Sequence, residues 1–185
     1  MSKEEINEIP IRKWEGPVEV VSSLPDLDRV VGRLQQESVY GFDTETRPAF
    51  KKGQKYLPSL LQLATEECVY LFQLKSLGLP EELAGLLADP ARTKAGVSLA
   101  YDLKELQRLS DFIPAGFVGL GRLSRKKGIK NNGLRGLAAV ALGIRISKSA
   151  QTSNWAKERL TQAQIRYAAT DAWIGRELYL KLQEM

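Results

Sequence analysis

The sequence predicts a single α/β domain with a mixed sheet, and two patterns lead to this prediction. Three β-rich segments follow one another in the first half of the chain, and helices and strands alternate after them, as in layered α/β proteins. The length of 185 residues and the 43% content of hydrophobic residues suit one ordinary hydrophobic core. We therefore expect one domain over residues 1–185, with its core at about 18–183 and an N-terminal extension at 1–17.

The individual elements follow from the pattern of apolar residues and turn signals. Segments rich in β-branched and aromatic residues predict five strands, at 18–21, 38–44, 59–64, 69–72 and 93–97. Helices are predicted at 24–37, 81–88, 101–110, near 134–142 and from 161 onward. At the start of the last helix, Thr161 and Gln164 form a capping-box pattern, which determines which of its residues share a face.

Composition excludes several kinds of catalytic site. The chain contains no histidine, which removes Ser-His-Asp triads, Cys-His nucleophiles and imidazole-bound zinc. It also contains no Gly-Lys-Ser or Gly-Lys-Thr, and its nearest approach to a dinucleotide fingerprint, at 119–124, lacks the third glycine. Any catalysis must therefore use carboxylates, lysine, tyrosine or a bound metal.

The chain is expected to be a cytoplasmic protein with no membrane partner. Its first residues include Glu4, Glu5 and Glu8 but no apolar signal core, and no later run approaches the ~18 apolar residues of a membrane span. The single cysteine, Cys68, lies in an apolar run, so we expect it to be a small buried hydrophobic residue in a reducing compartment.

Positive charge is concentrated in one segment of the chain. Residues 112–157 contain no aspartate or glutamate, whereas nine lysines and arginines lie there: Arg122, Arg125, Lys126, Lys127, Lys130, Arg135, Arg145, Lys148 and Lys157. Such a one-sign segment indicates a surface that faces a polyanion. The alternative is a solvated basic loop that has no partner.

Four carboxylates stand out as candidates for chemistry. Asp43 and Glu45 lie two residues apart at the end of a predicted strand, so strand alternation directs both side chains to one face. Asp102 lies at the start of a predicted helix with Glu105 three residues later, which fits either a ligand or an N-cap. The fourth, Asp171, lies in the final helix.

The final helix also supplies a phenol next to its carboxylate. Tyr167 and Asp171 are four residues apart, so they project from the same side of the helix. The alternative is that Tyr167 packs in the core and that Asp171 pairs with a basic neighbour such as Lys104 or Arg176.

These residues resemble the three exonuclease motifs of the DEDD superfamily, in the DEDDy subtype, whose third motif carries tyrosine instead of histidine. The matching strings are Phe42-Asp43-Thr44-Glu45, Tyr101-Asp102-Leu103 and Tyr167-Ala168-Ala169-Thr170-Asp171-Ala172. Further strings at 41–48, 59–64, 153–155 and 160–164 are similar to the Werner-type 3′-to-5′ exonuclease domain, and the resemblance covers about 39–182. It implies a ribonuclease-H-like (DnaQ-like) fold, with a mixed five-stranded sheet whose second strand is antiparallel and with helices on both sides.

The resemblance also implies a metal-dependent site. Asp43, Glu45, Asp102 and Asp171 would bind two divalent ions, and all-oxygen ligation favours Mg²⁺ or Mn²⁺ over zinc. Tyr167 would orient the attacking water first and help to take its proton second, since an ordinary phenol has a pKa of ~10.

Six further residues are expected to bind substrate. Trp155 would stack on a base, with core packing as the alternative, and Asn154 would hydrogen-bond a sugar or phosphate. The full predicted set is Thr44, Arg47, Lys126, Lys148, Asn154 and Trp155.

Three functions are consistent with these features. The first is a DNA-directed 3′-to-5′ exonuclease that releases nucleoside monophosphates. The second is the same chemistry on RNA 3′ ends, as in ribonuclease D, because no residue in the sequence is identified as a sensor of the 2′-hydroxyl. The third is a module that binds nucleic acid or a protein without cutting, which would be expected to lack at least one motif acid. Recruitment to the substrate would require either another chain or the basic segment.

Overall fold

The computed structural model describes residues 1–185, and its centre is one six-stranded sheet. The strands are β1 (Val18–Val21), β2 (Val39–Thr46), β3 (Pro58–Ala64), β4 (Val69–Gln73), β5 (Thr93–Gly96) and β6 (Phe117–Gly119), in the spatial order β1-β4-β3-β2-β5-β6. Only β3 is antiparallel to its neighbours, β2 and β4, while the other pairings are parallel. The predicted α/β class and mixed sheet are confirmed.

The expectation of five strands was wrong, because the sheet has six. The additional strand, β6, is three residues long and pairs with β5 at the edge of the sheet. A segment this short shows no alternation of polar and apolar residues, so the parallel backbone pairing with β5 is what defines it. The family resemblance implies five strands with the second one antiparallel. This describes β2 to β6, in which β3 is second and antiparallel, while β1 precedes these five strands in the chain.

Helices cover both faces of the sheet. The chain contains α1 (Lys3–Glu8), α2 (Leu24–Gln36), α3 (Leu74–Leu77), α4 (Glu81–Ala88), α5 (Leu99–Leu106), α6 (Leu120–Lys126), α7 (Leu134–Leu137), a π-helical turn (Ala138–Leu142) and α8 (Gln162–Glu184). The apolar sides of α2 and α4 join one core cluster, which includes Cys68, and α8 joins the clusters on the opposite face. None of the helices is both long and apolar enough to cross a bilayer.

The final helix lies unusually close to the central strand β2. A Cβ atom at Gly41 would collide with the carbonyl oxygen of Ala172, and one at Gly175 would lie 2.9 Å from the carbonyl oxygen of Ala95. Glycine is therefore needed at position 41 in β2 and at position 175 in α8, since any side chain there would push the helix away from the sheet. The capping box at Thr161, in which its hydroxyl accepts from the backbone N–H of Gln164, sets the start of α8 as expected.

The residues before β1 are attached to the rest of the chain. Ile11 forms an isolated parallel bridge with Arg145, and the backbone N–H of Trp14 donates to the hydroxyl of Thr170 at 3.0 Å. The ring of Trp14 packs against that of Trp173 with 5.8 Å between centroids. The N-terminal extension is thus held against α8 and the segment that precedes it.

Replacing Gly41 with alanine tests the contact between α8 and β2. We expect Gly41→Ala to lower the free energy of unfolding by at least about 1–3 kcal/mol, because a backbone carbonyl cannot move aside as a flexible side chain can. The matched control is Gly32→Ala on the exposed side of α2, where a Cβ meets nothing within 4 Å. There alanine should stabilise the protein by roughly 0.5–1 kcal/mol. Urea unfolding in EDTA measures both, and equal effects of the two changes would contradict the close approach.

Candidate active site

Three of the four predicted acids meet where α8 crosses β2. Asp43 and Glu45 project from the same side of β2, as alternation predicts, and Asp171 projects from α8 toward them. Each of the three carboxylates offers an oxygen, and these oxygens all lie within 4.8 Å of one another. Residues more than 120 positions apart in the sequence therefore form one acidic cluster, and no lysine or arginine pairs with any of them.

Asp102 lies outside this group of three, on the first turn of α5. Its carboxylate accepts a hydrogen bond of 2.8 Å from the hydroxyl of Thr44, which projects from the other side of β2. The alternative of an Asp102 N-cap is wrong, because Ser98 occupies that position in the left-handed region at a φ of 53°. Glu105 does not reach back to a cap either, since it pairs with Arg108 at 2.8 Å.

Burial raises the pKa of every acid at the site, and the charges of neighbouring acids raise the pKa of Asp43 and Glu45 further. The pKa of Asp43 lies well above its ordinary value because of burial first and the charge of Asp171 second. Burial, with the charges of Asp43 and its neighbours, raises the pKa of Glu45 to about 10. Burial raises the pKa of Asp171 to about 7, a shift that the adjacent Tyr167 hydroxyl opposes. For Asp102, burial raises the pKa and the hydrogen bond from Thr44 opposes the rise.

The donor set of this cluster fits divalent ions. One oxygen of Asp171, Oδ1, is buried and has no hydrogen-bond partner, although buried polar atoms ordinarily have one. Asp171 as a whole is 8% exposed, so the alternative in which it forms a surface ion pair is wrong. The candidate partner Arg176 instead contacts Glu66 and Glu177. Uncompensated carboxylate oxygens at short range are the ligands that Mg²⁺ and Mn²⁺ prefer.

Tyr167 lies one helical turn before Asp171 and is half-buried. Burial, followed by the charges of Asp171 and Glu45, raises the pKa of its phenol above the ordinary value. The ring packs against that of Trp155 at 5.8 Å between centroids. This contact corrects one expectation: Trp155 is only 1% exposed and belongs to the core beneath α8, so it has no free face on which a base could stack.

A cavity of about 580 Å³ opens beside the acids. Asp43, Glu45 and Asp171 line one side of it, and Tyr167 also borders it. Basic and amide side chains that sequence reasoning had not assigned to the site line it as well, namely those of Lys3, Asn131, Arg135 and Gln151. The cavity thus combines a group of acids with several cations and amides, which suits a ligand that carries phosphate.

The remaining predicted substrate residues lie at different distances from this cavity. Lys148 and Thr44 line it, although the Thr44 hydroxyl is engaged by Asp102. Arg47 is exposed and stacks over the ring of Tyr56 at 4.9 Å instead of lining the cavity. Lys126 is exposed at the end of α6, outside the cavity lining.

Asn154 is also outside the cavity lining, and its polar groups are used locally. Its side-chain oxygen accepts from the backbone N–H of Ala156 at 3.2 Å, and its backbone carbonyl accepts from the side chain of Gln164. It therefore organises the turn before α8, and the structure does not bring it to the acids.

Sequence reasoning also missed a buried polar residue next to the acids. Gln62 is paired with Asp43 across β2 and β3, is 0% exposed, and neither its amide nitrogen nor its carbonyl oxygen has a hydrogen-bond partner. Each unmade hydrogen bond of a buried polar group costs about 1–3 kcal/mol. A polar residue inside the apolar run Leu60-Leu61-Gln62-Leu63 is the signal that could have identified it.

The raised pKa values make the metal-free protein sensitive to pH. The carboxyl groups of Asp43, Glu45 and Asp171 bind protons more tightly in the folded state, so they stabilise the fold most at about pH 4 and below. This contribution is lost as pH rises toward the pKa values of the folded state, which are about 7 for Asp171 and about 10 for Glu45. In EDTA, we expect the free energy of unfolding to fall by on the order of 1–3 kcal/mol between pH 5 and pH 7.5. This window ends below the titration of buried Lys94, whose pKa is lowered to about 8 and which has the opposite effect.

The control for this pH dependence is Asp171→Asn, which removes one titrating carboxyl without changing its size. We expect this variant to be more stable than the parent at pH 7.5 in EDTA and to depend less on pH. A parent protein whose stability in EDTA rises between pH 5 and pH 7.5 would contradict the assignment of repulsion to this cluster. Thermal unfolding in matched buffers gives both results.

Known exonucleases are similar to this chain in sequence. Mouse bifunctional 3′-5′ exonuclease/ATP-dependent helicase WRN is 36% identical over 156 residues, which cover 81% of this chain and 11% of the relative. Ribonuclease D of Haemophilus influenzae is 31% identical over 168 residues, which cover 89% of this chain and 41% of the relative. This chain therefore spans well under half the length of these two relatives.

Solved structures and a family description agree with these relatives. The exonuclease domain of Aedes aegypti Nibbler superposes with a TM-score of 0.82 at 26% identity, over 95% of this chain and 91% of that domain. Residues 18–185 match the family described as 3′-5′ exonuclease. The acids of the first and third motifs line one cavity, and Asp102 of the second is held by the hydroxyl of Thr44. With this site on the same fold, this chain belongs to the 3′-5′ exonuclease family.

Proposed function

We propose that this chain hydrolyses phosphodiester bonds at the 3′ ends of nucleic acid and releases nucleoside 5′-monophosphates with the help of two divalent ions, Mg²⁺ or Mn²⁺. The observation that carries this proposal is the convergence of three uncompensated carboxylates beside a cavity that also presents cations. Family membership supports the reaction class, and the raised pKa values of the acids support a role as metal ligands.

Asp43, Glu45 and Asp171 are the proposed metal ligands, and Asp102 completes the set. Divalent ions held there would neutralise the charge that develops on the phosphate and position the attacking and leaving oxygens in line. Thr44 holds the Asp102 carboxylate through its hydroxyl, so its proposed role is to orient this acid.

Tyr167 is proposed to orient the attacking water. Its phenol carries a proton at neutral pH, as an ordinary phenol does, and its raised pKa holds that proton more firmly. It therefore acts as a hydrogen-bond donor and acceptor toward the water. Removal of the water's proton by Tyr167 is secondary and would require nearby cations to lower its pKa.

Cationic side chains in the cavity are proposed to bind the phosphates of the substrate. Lys148 lines the cavity and is the predicted contact that the geometry supports best. Arg135 lines the same cavity, where its Nη2 donates to the side-chain oxygen of Asn7 at 2.6 Å, and the guanidinium has further N–H donors for a phosphate oxygen. Arg47 and Lys126 lie farther out and would serve only the more distant part of a long strand.

DNA is the proposed substrate, and RNA is the alternative. Relatives with names of both kinds, the helicase-linked exonuclease and ribonuclease D, align with most of this chain. A non-cutting module is disfavoured, because all four acids and Tyr167 are present. The cytoplasmic location and a recruiting protein partner stay predictions.

The experiment that tests this function compares 5′-labelled and 3′-labelled DNA and RNA oligonucleotides in Mn²⁺, in Mg²⁺ and in EDTA. We expect a 3′ label to appear at once as mononucleotide, a 5′ label to shorten stepwise, and EDTA to abolish both. Asp43→Asn is the control for contaminating nucleases and should lower kcat by several orders of magnitude while the protein stays folded. Equal turnover by Asp43→Asn, or internal cuts in place of stepwise shortening, would contradict the proposal.

Tyr167→Phe separates orientation from packing, because it keeps the ring against Trp155 and removes only the hydroxyl. We expect a moderate fall in kcat from the loss of orientation, and a fall on the order of 10²–10⁴-fold if the hydroxyl also shares in proton transfer. KM and the unfolding temperature should change little. Rates measured from pH 6 to pH 10 show whether the loss is uniform. An unchanged kcat across this range would reduce Tyr167 to a packing residue.

A further inference from the structure

The fully buried Gln62 lies next to the acidic cluster but has no assigned role. In the register of β2 and β3, Gln62 is directly opposite Asp43, on the side of the sheet that α8 covers. Directly opposite residues of antiparallel strands have Cβ atoms ~4.5–5.5 Å apart. A glutamine carboxamide extends far enough to reach a neighbouring carboxylate across that separation.

The surroundings of Gln62 offer few other partners. On β4 it is paired with Leu71, and the core cluster on this side of the sheet includes Ala168 and Ala172 of α8. The other glutamine on this side of the sheet, Gln73, already donates from its amide to the carbonyl oxygens of Lys157 and Glu158. The amide of Gln62 thus has no hydrogen-bond partner, and the residue directly opposite it on β2 is Asp43.

An apolar side chain of the same length would fill this position without leaving polar atoms unpaired. The presence of glutamine therefore calls for a state of the protein in which the amide has a partner. Asp43 provides one, because it is directly opposite Gln62 and its carboxylate is a strong hydrogen-bond acceptor. One of its oxygens, Oδ1, already accepts from the backbone N–H of Thr44 at 2.9 Å, and its other oxygen can take a second donor.

We propose that Gln62 is a positioning residue that donates its amide N–H to the carboxylate of Asp43 when divalent ions are bound, and so fixes the orientation of that carboxylate. Residues that hold a metal ligand in place typically change metal affinity 10–100-fold when they are replaced. The inference rests on the proposed function, because it assumes that Asp43 binds metal.

The test measures Mn²⁺ binding by calorimetry and thermal unfolding in EDTA, with activity as a separate readout. In Gln62→Met, which keeps the chain length, we expect Mn²⁺ to bind about 10–100-fold more weakly. The unfolding temperature in EDTA should rise or stay the same, because two unpaired polar atoms are removed from the interior. Gln62→Leu is made alongside in case the methionine packs poorly, and it should weaken binding to the same extent.

Gln73→Met is the matched control. Gln73 is a buried glutamine on the same side of the sheet, but its amide already forms hydrogen bonds. This substitution should lower the unfolding temperature in EDTA and leave Mn²⁺ binding as in the parent protein. Parental Mn²⁺ affinity in both Gln62 variants would overturn the proposal, as would an equal loss of affinity in Gln73→Met. If the parent protein itself binds no Mn²⁺, the proposed function fails first, so the two failures are distinguishable.

Discussion

The close contact between the final helix and the central strand is the constraint on which the site depends. Gly41 and Gly175 carry no side chains, so the backbone of α8 lies so close to β2 and β5 that a Cβ atom at either glycine would collide with a backbone carbonyl oxygen. This approach is what brings Asp171 within 4.8 Å of Asp43 and Glu45. The same helix supplies Tyr167 one turn earlier, so a single docking event positions most of the candidate catalytic groups.

This contact brings carboxylates together where their charges repel. Burial raises the pKa of each of these acids, and repulsion adds to the rise for Asp43 and Glu45. Packing of the surrounding core, including the alanines on the inner side of α8 and the buried Trp155, offsets this local cost. The site is thus an electrostatically unfavourable feature that the rest of the fold can tolerate, and cations would relieve it.

In the cavity, negative and positive side chains come from different parts of the fold. The acids belong to the rigid sheet and to α8, whereas the cations Lys3, Arg135 and Lys148 come from segments outside the sheet. A phosphodiester needs both, because its non-bridging oxygens attract lysine and arginine while its reacting centre requires metal ligands nearby. The concentration of basic residues in the segment 112–157 therefore has a partial structural counterpart, since Arg135 and Lys148 reach the cavity and Lys126 does not.

Local sequence determined much of this protein. Strand alternation put Asp43 and Glu45 on one side of β2, helical spacing put Tyr167 beside Asp171, and the capping box at Thr161 set the start of α8. These features depend only on backbone periodicity, so the sequence is sufficient to predict them. The family resemblance then assigned them to one site.

Only the tertiary structure decided which side chains share an environment. Trp155 is in the core instead of at a substrate surface because Tyr167 and the inner side of α8 enclose it. The short edge strand β6 exists through backbone pairing with β5, which leaves no periodic signal in three residues. Gln62 meets Asp43 through the register of β2 and β3, and Arg135 meets the acids across a cavity. Contacts of this kind join residues far apart in the chain, and local periodicity carries no information about them.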